Sequence, residues 1–183
     1  MRTANGSGSE NVIDEIIDKV LKYGVNDYRV IDPHMIKVHQ WVRMKCQFGC
    51  PAYGTNYTCP PHVPELEKVR EFFREYDRGI LIELSGLETL SDQKSVHKIL
   101  LKLERDAFLG GYYKAFGITA GPCHVCKACK AMKDRPCHDT RKRPSLEALG
   151  VDVYELVTRS GFHLDPVQTK KDEYKSYGLL LLD

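Results

Sequence analysis

Seven cysteines carry whatever chemistry this 183-residue chain performs, and they fall in two tight groups. Cys46, Cys50 and Cys59 form the first group, and Cys123, Cys126, Cys129 and Cys137 form the second. A thiol that only packs in a core has no reason to recur every third residue. Thiolates that grip a metal do, because they must converge on one centre.

The second group reads Cys123-x2-Cys126-x2-Cys129-x7-Cys137. Three thiolates at that spacing on a curled loop can each take a different corner of a cubane, and a more distant fourth completes the set. Bacterial ferredoxins open with the same run, although their fourth cysteine serves another cluster. The spacing therefore points to a [4Fe-4S] cluster held by Cys123, Cys126, Cys129 and Cys137. Zinc is the competing metal; its sites pair two separated C-x2-C knuckles, which a three-cysteine run matches poorly. His124 and His138 each adjoin a cysteine and are read as ordinary loop residues outside the ligand set.

The first group reads Cys46-x3-Cys50-x8-Cys59-Pro60-Pro61. Three cysteines leave one position of a tetrahedral metal or a cubane open, to be filled by Cys137, His62, water or a substrate. All seven cysteines are thus candidate metal ligands, with one or two clusters in the chain. An open iron would act as a Lewis acid toward a substrate sulfur or oxygen. Glu83, Asp139 and His62 are the candidate acid-base helpers for such chemistry, each with an ordinary structural role as the alternative.

Other features narrow the class. The cysteine count is odd, so simple disulfide pairing would leave one thiol over. No apolar run approaches the ~20 residues that span a bilayer. The first ten residues, MRTANGSGSE, lack an apolar centre and read as a disordered lead-in rather than a secretory signal. The expectation is a reducing, cytoplasmic setting, where disulfides are rare. Formal net charge is +2, so no global field marks a nucleic-acid binder. Between Lys127 and Arg143, however, seven Lys and Arg face two Asp. That basic loop, 127–143, is a candidate dock for an acidic redox partner. It lacks the interleaved aromatics that stack on RNA bases, so nucleic acid is not the expected partner. Phosphate-loop, dinucleotide, H-E-x-x-H and G-x-S-x-G signatures are all missing.

The blocks KCQFGCPAYGTNYTCPPH, GPCHVCKACKAMKDRPC and RPSLEALGVDVYELV together run from about Cys46 to Val157. In these blocks the chain resembles a family known mainly from archaea and anaerobic bacteria, described as predicted metal-binding proteins, a domain of unknown function. The resemblance implies metal binding by these cysteines and no particular substrate.

The elements that must position the cysteines follow from periodicity. Val12, Ile13, Ile16, Ile17, Val20 and Leu21 recur at helical spacing, and Gly24 supplies a stop. Tyr28 to Ile31 and Met35 to Met44 read as strands, the second running directly into Cys46. A helix is expected after Pro64 with Leu66, Val69, Phe72, Phe73 and Tyr76 on its apolar face. Gly79 to Leu84 reads as a buried strand. Ser91 is the expected cap of a long helix carrying Val96, Ile99, Leu100, Leu103 and Ala107, which Gly110-Gly111 ends. Tyr112 to Thr119 reads as a strand feeding Cys123, and short helices are expected near Ser145 to Leu149 and Asp152 to Ser160. Tyr177 to Leu182 closes the chain as a strand.

Strands alternating with helices argue one α/β domain over residues 11–183, with a central mixed sheet flanked by helices. Residues 79–119 should form a right-handed parallel crossover. Because both cysteine groups follow an expected strand, both metal-binding loops should leave one edge of the sheet and meet. Three functions are then open. One is an iron–sulfur protein that passes electrons to a partner. A second is an enzyme that uses an open-site three-cysteine [4Fe-4S] cluster for sulfur removal or transfer. The third is a zinc-binding structural module.

Overall fold

The computed structural model describes residues 7–87, 93–169, 172 and 174–183. Most of the expected disordered lead-in, and the expected Ser91 cap, lie outside the described residues. Helix α1 (Ser7–Lys22) already includes residues 7–10.

Four strands form one sheet: β1 (Asp27–Ile31), β2 (Gly79–Leu87), β3 (Phe116–Ile118) and β4 (Tyr174–Leu181), in the order β1-β2-β4-β3. Every neighbouring pair is antiparallel, so the sheet is not the mixed one that strand–helix alternation suggested. The reason lies in β4. Both β2 and β3 run antiparallel to it, so they run the same way as each other. They are joined by α4 (Gln93–Leu109) as a crossover should be. The last strand of the chain inserts between them and turns a parallel pair into two antiparallel ones. The four leucines Leu179 to Leu182 suit that central place. All are buried, because both faces of the strand are covered.

Successive side chains of a strand point to opposite faces, and β4 divides the core accordingly. Leu180 and Leu182 pack with Ile80, Ile82, Ile16 and Val20 of α1, and Val96, Leu100 and Leu103 of α4. Leu179 and Leu181 pack on the other side with Leu81, Ile118 and the buried face of α3 (Leu66–Phe73). They also meet Leu146, Leu149 and Val151, and Leu156 and Val157 of α5 (Val153–Arg159). Gly178 lets α4 lie close on the sheet: a Cβ there would stand 2.6 Å from Leu100 Cδ1 and 2.9 Å from Val96 Cγ1.

One expected strand is a helix. Residues 33–35 make a single 3-10 turn, and α2 spans Gln40–Gly49. Val42 is buried while Met44, which a strand would place on the same face, is 42% exposed, so the segment follows a helical and not a strand spacing. Cys46 therefore rides on a helix instead of following a strand. The turn at 146–150 anchors the start of α2: Val38 bridges Val151, and His39 N donates to Gly150 O at 2.8 Å. Gly150 has φ +83, and a Cβ there would fall 2.6 Å from Leu66 Cδ2, so no other residue suits this point. That same segment was expected to be a short helix and is a hydrogen-bonded turn instead.

The remaining differences are of extent. β3 is three residues long where Tyr112 to Thr119 were expected, and β2 continues past Leu84 through an irregularity to Leu87. Among the described residues, no helix is long and apolar enough to cross a membrane.

Candidate metal centre

The first cysteines are positioned by α2. Cys46 lies in its last turn and Cys50 is its C-cap, with Cys50 N donating to Cys46 O at 3.2 Å. One helical turn apart, the two share a face. The chain then folds back on itself. Gly54 N donates to Pro60 O at 2.9 Å and Cys59 N to Asn56 O at 3.0 Å, and the Pro60–Pro61 bond is cis. This returns Cys59, 7% exposed, to the space beside Cys46 and Cys50. All three line one cavity.

The second group follows β3, an edge strand, by way of residues 119–122. Thr119 N donates to Pro144 O and Leu146 N to Thr119 O. The two ends of the cysteine loop are thereby stitched together at its base. Arg143 pairs with Glu104 of α4, whose Oε2 also accepts from Gly117 N at 2.7 Å. Cys123, Cys126, Cys129 and Cys137 all line a second cavity of about 220 Å³.

The two loops touch through residues that sequence reasoning passed over. Asn56 Nδ2 donates to Cys123 O at 3.1 Å, and Cys123 N donates to Thr58 Oγ1 at 3.3 Å. Asn56 Oδ1 in turn accepts from Thr58 N and Thr58 Oγ1, both at 3.1 Å. Asn56 and Thr58 are 8% and 5% exposed, so these bonds are shielded from water. Both backbone polar groups of Cys123 are thus held by the first loop. Between two cysteines, Asn56 looked like a turn former; only its burial reveals the clamp.

All seven cysteines are free thiols. Burial pushes the Cys59 thiol up to about 12, with Cys50, Cys46 and Cys123 adding like-charge repulsion and the Thr58 hydrogen bond opposing them. Burial also raises Cys46, reinforced by Cys50 and Glu147 and opposed by Arg43. Cys123 is raised by burial, then by Cys126, Cys129 and Cys137, against a backbone hydrogen bond from Val125. Each set of thiols lies near enough to repel itself when ionised. A bound cation is the ordinary remedy for such a cluster.

The sulfur atoms do not close on a single ion. Among the described residues, no three His, Cys, Asp or Glu side chains converge as ligands of one metal ion. A tetrahedral zinc with Zn–S of about 2.3 Å draws its sulfurs to within ~3.8 Å of one another.

The three expected acid-base helpers are engaged elsewhere. Glu83, in β2, accepts from Tyr177 Oη at 2.5 Å, and Lys175 Nζ stands 3.5 Å away. The Arg141 guanidinium holds Asp139 at about 2. His62 stacks edge-on against Tyr57 at 5.0 Å, with Nε2 3.4 Å from Gly54 O. None of the three lines the cavity of Cys46, Cys50 and Cys59, and of the three Asp139 lines the smaller cavity of the second group. Of the loop histidines, His138 lines the smaller cavity, while His124 Nε2 is buried without a hydrogen-bond partner. Burial, Lys94 and His97 hold the His124 imidazole below its usual range.

A family model described as "Predicted metal-binding protein (DUF2284)" matches residues 29–182. No curated protein and no solved structure matches the chain.

Proposed function

Since this chain belongs to that family of predicted metal-binding proteins, we propose that it is an iron–sulfur protein. Cys123, Cys126, Cys129 and Cys137 hold a [4Fe-4S] cluster, and its task is to exchange electrons with a partner protein. The observation that carries this reading is that four free thiols line one cavity of about 220 Å³. The donor set fits the group: four sulfurs line one space, in a three-cysteine run that paired zinc knuckles match poorly. Bound there, the cluster would supply one-electron chemistry.

The protein's own residues set the conditions for that exchange. Cys126 is exposed, so a partner can come close to the centre. Lys127, Lys130, Lys133, Arg135 and Lys142 are exposed around it. Their charge would raise the reduction potential of an anionic cluster and attract an acidic surface. Asn56 and Thr58 fix the backbone of Cys123 from the first loop, so the ligand loop is held before any metal arrives.

A second reading is favoured by one further observation. Cys46, Cys50 and Cys59 border a much larger cavity, about 1290 Å³. A three-cysteine centre opening on such a space is suited to binding substrate for sulfur removal or transfer. Anaerobically purified protein should be brown and bleach on reduction. Cys129→Ala should abolish the reversible redox change, and Cys46→Ala should leave it in place. A colourless protein that binds zinc alone would rule out both readings and leave the structural module.

A further inference from the structure

The two cavities differ in what they can hold. The space at Cys123, about 220 Å³, suits a compact inorganic group. The space beside Cys46, about 1290 Å³, exceeds the ~300–1,000 Å³ usual for small-molecule sites. An organic molecule fits there beside whatever the thiols bind. Its walls include Trp41, Phe48, Tyr154 and Val167, which are 45%, 76%, 48% and 50% exposed. Single exposed apolar side chains are ordinary, but four around one opening make a patch. Lys45 lies along the Trp41 ring, 4.9 Å from its centroid.

The carboxylates of this cavity are nearly all committed. Asp152 accepts from Glu155 N at the start of α5. Asp165 pairs with His163 at 2.8 Å, and Asp172 accepts from Thr169 and Gln168. Glu147 differs: its Oε2 is buried and has no hydrogen-bond partner. Glu147 lines the cavity and stands close enough to Cys46 to push that thiol up. A buried carboxyl oxygen without a protein donor is costly to maintain in the free protein, and a ligand that brings a donor to this group offsets that cost.

We propose that this cavity binds a small aromatic molecule bearing an amino group, its rings against Trp41 and Phe48 and its ammonium on Glu147. The inference stands on the cavity and on Glu147, and holds whichever metal the cysteines bind.

Three probes that share one ring test it: tryptamine, indole and indole-3-acetate, titrated calorimetrically into the anaerobically purified full chain. Tryptamine should bind at least about tenfold tighter than indole-3-acetate, the worth of one charge-assisted hydrogen bond. Glu147→Gln should erase that preference with metal content unchanged. Phe48→Ala, on an exposed side chain that will not disturb folding, should weaken all three probes alike. Failure of every probe to bind at millimolar concentration would overturn the proposal. So would equal affinities, or a preference that survives Glu147→Gln. Loss of metal in Glu147→Gln would overturn it too, by making this residue a ligand. Selective tryptamine binding to a sample without metal would support the cavity proposal and count only against the metal one.

Discussion

Asn56→Ala is the perturbation that most directly probes how the two cysteine loops are joined. The substitution deletes three side-chain hydrogen bonds: one to Cys123 O, one from Thr58 N and one from Thr58 Oγ1, each 3.1 Å long. A typical intramolecular hydrogen bond contributes about 1 kcal/mol net, and a buried partner left unpaired costs ~1–3 kcal/mol. The Cys59 N to Asn56 O bond belongs to the backbone and survives. The expected loss is therefore about 2–3 kcal/mol, above the ~1 kcal/mol of an average substitution. Urea unfolding of reduced protein under anaerobic conditions measures it, as a lower midpoint at unchanged slope. The variant should also lose its metal to a chelator faster, since both backbone groups of Cys123 depend on Asn56 or on its partner Thr58. A change below about 0.5 kcal/mol, the ordinary range for surface substitutions, would refute the clamp. So would a full stability loss with chelator release unchanged, which would separate the clamp from the metal centre.

Three further outcomes are expected. Gly178→Ala should lower stability by about 1–3 kcal/mol, the usual cost of overpacking, because its Cβ would meet Leu100 Cδ1 at 2.6 Å; thermal unfolding reads it. Metal uptake should release protons and weaken as pH falls, because the Cys59 thiol, pushed up to about 12, keeps its proton in the metal-free chain at neutral pH. A pH series of metal titrations, or direct proton release in weakly buffered solution, checks this. Glu155 is held below its usual range by hydrogen bonds from Lys37 and His39. Its contribution to stability should be full above about pH 4.3, the value in an unfolded chain. It should fade as pH falls through the lower folded value, so Glu155→Gln should flatten the acid limb of the stability profile measured by denaturant unfolding.

Much of the fold was legible because its apolar positions repeat cleanly. Val96, Ile99, Leu100, Leu103 and Ala107 mark one face of α4, and all five are buried. The four leucines from 179 to 182 announce a strand covered on both faces. That same strand hid the topology, since nothing local says that the last strand of the chain inserts between the partners of a crossover. Residues 35–44 misled because Ile36, Val38, Trp41, Val42 and Met44 have strand-forming side chains. Burial of Val42, with Met44 two residues on left exposed, marks a helical face, and tertiary context of that kind overrides propensity.

At the site, cysteine spacing identified the side chains that line the two cavities. It could not reveal Asn56 and Thr58 as the link between them, because polar turn residues look alike until one is buried. Nor could it identify Glu147, whose interest is a single oxygen without a partner next to Cys46. The signals from Glu83, Asp139 and His62 were residue type alone, and each proves to be satisfied by a neighbour.

Iron and acid-labile sulfide, counted per chain in anaerobically prepared protein, test the central claim most directly. Four thiols on one cavity predict about four irons with matching sulfide, or about eight if the first group also holds a cubane. The predicted loss from Cys129→Ala is about four of each. One zinc per chain with no sulfide, unchanged by that substitution, would contradict the account.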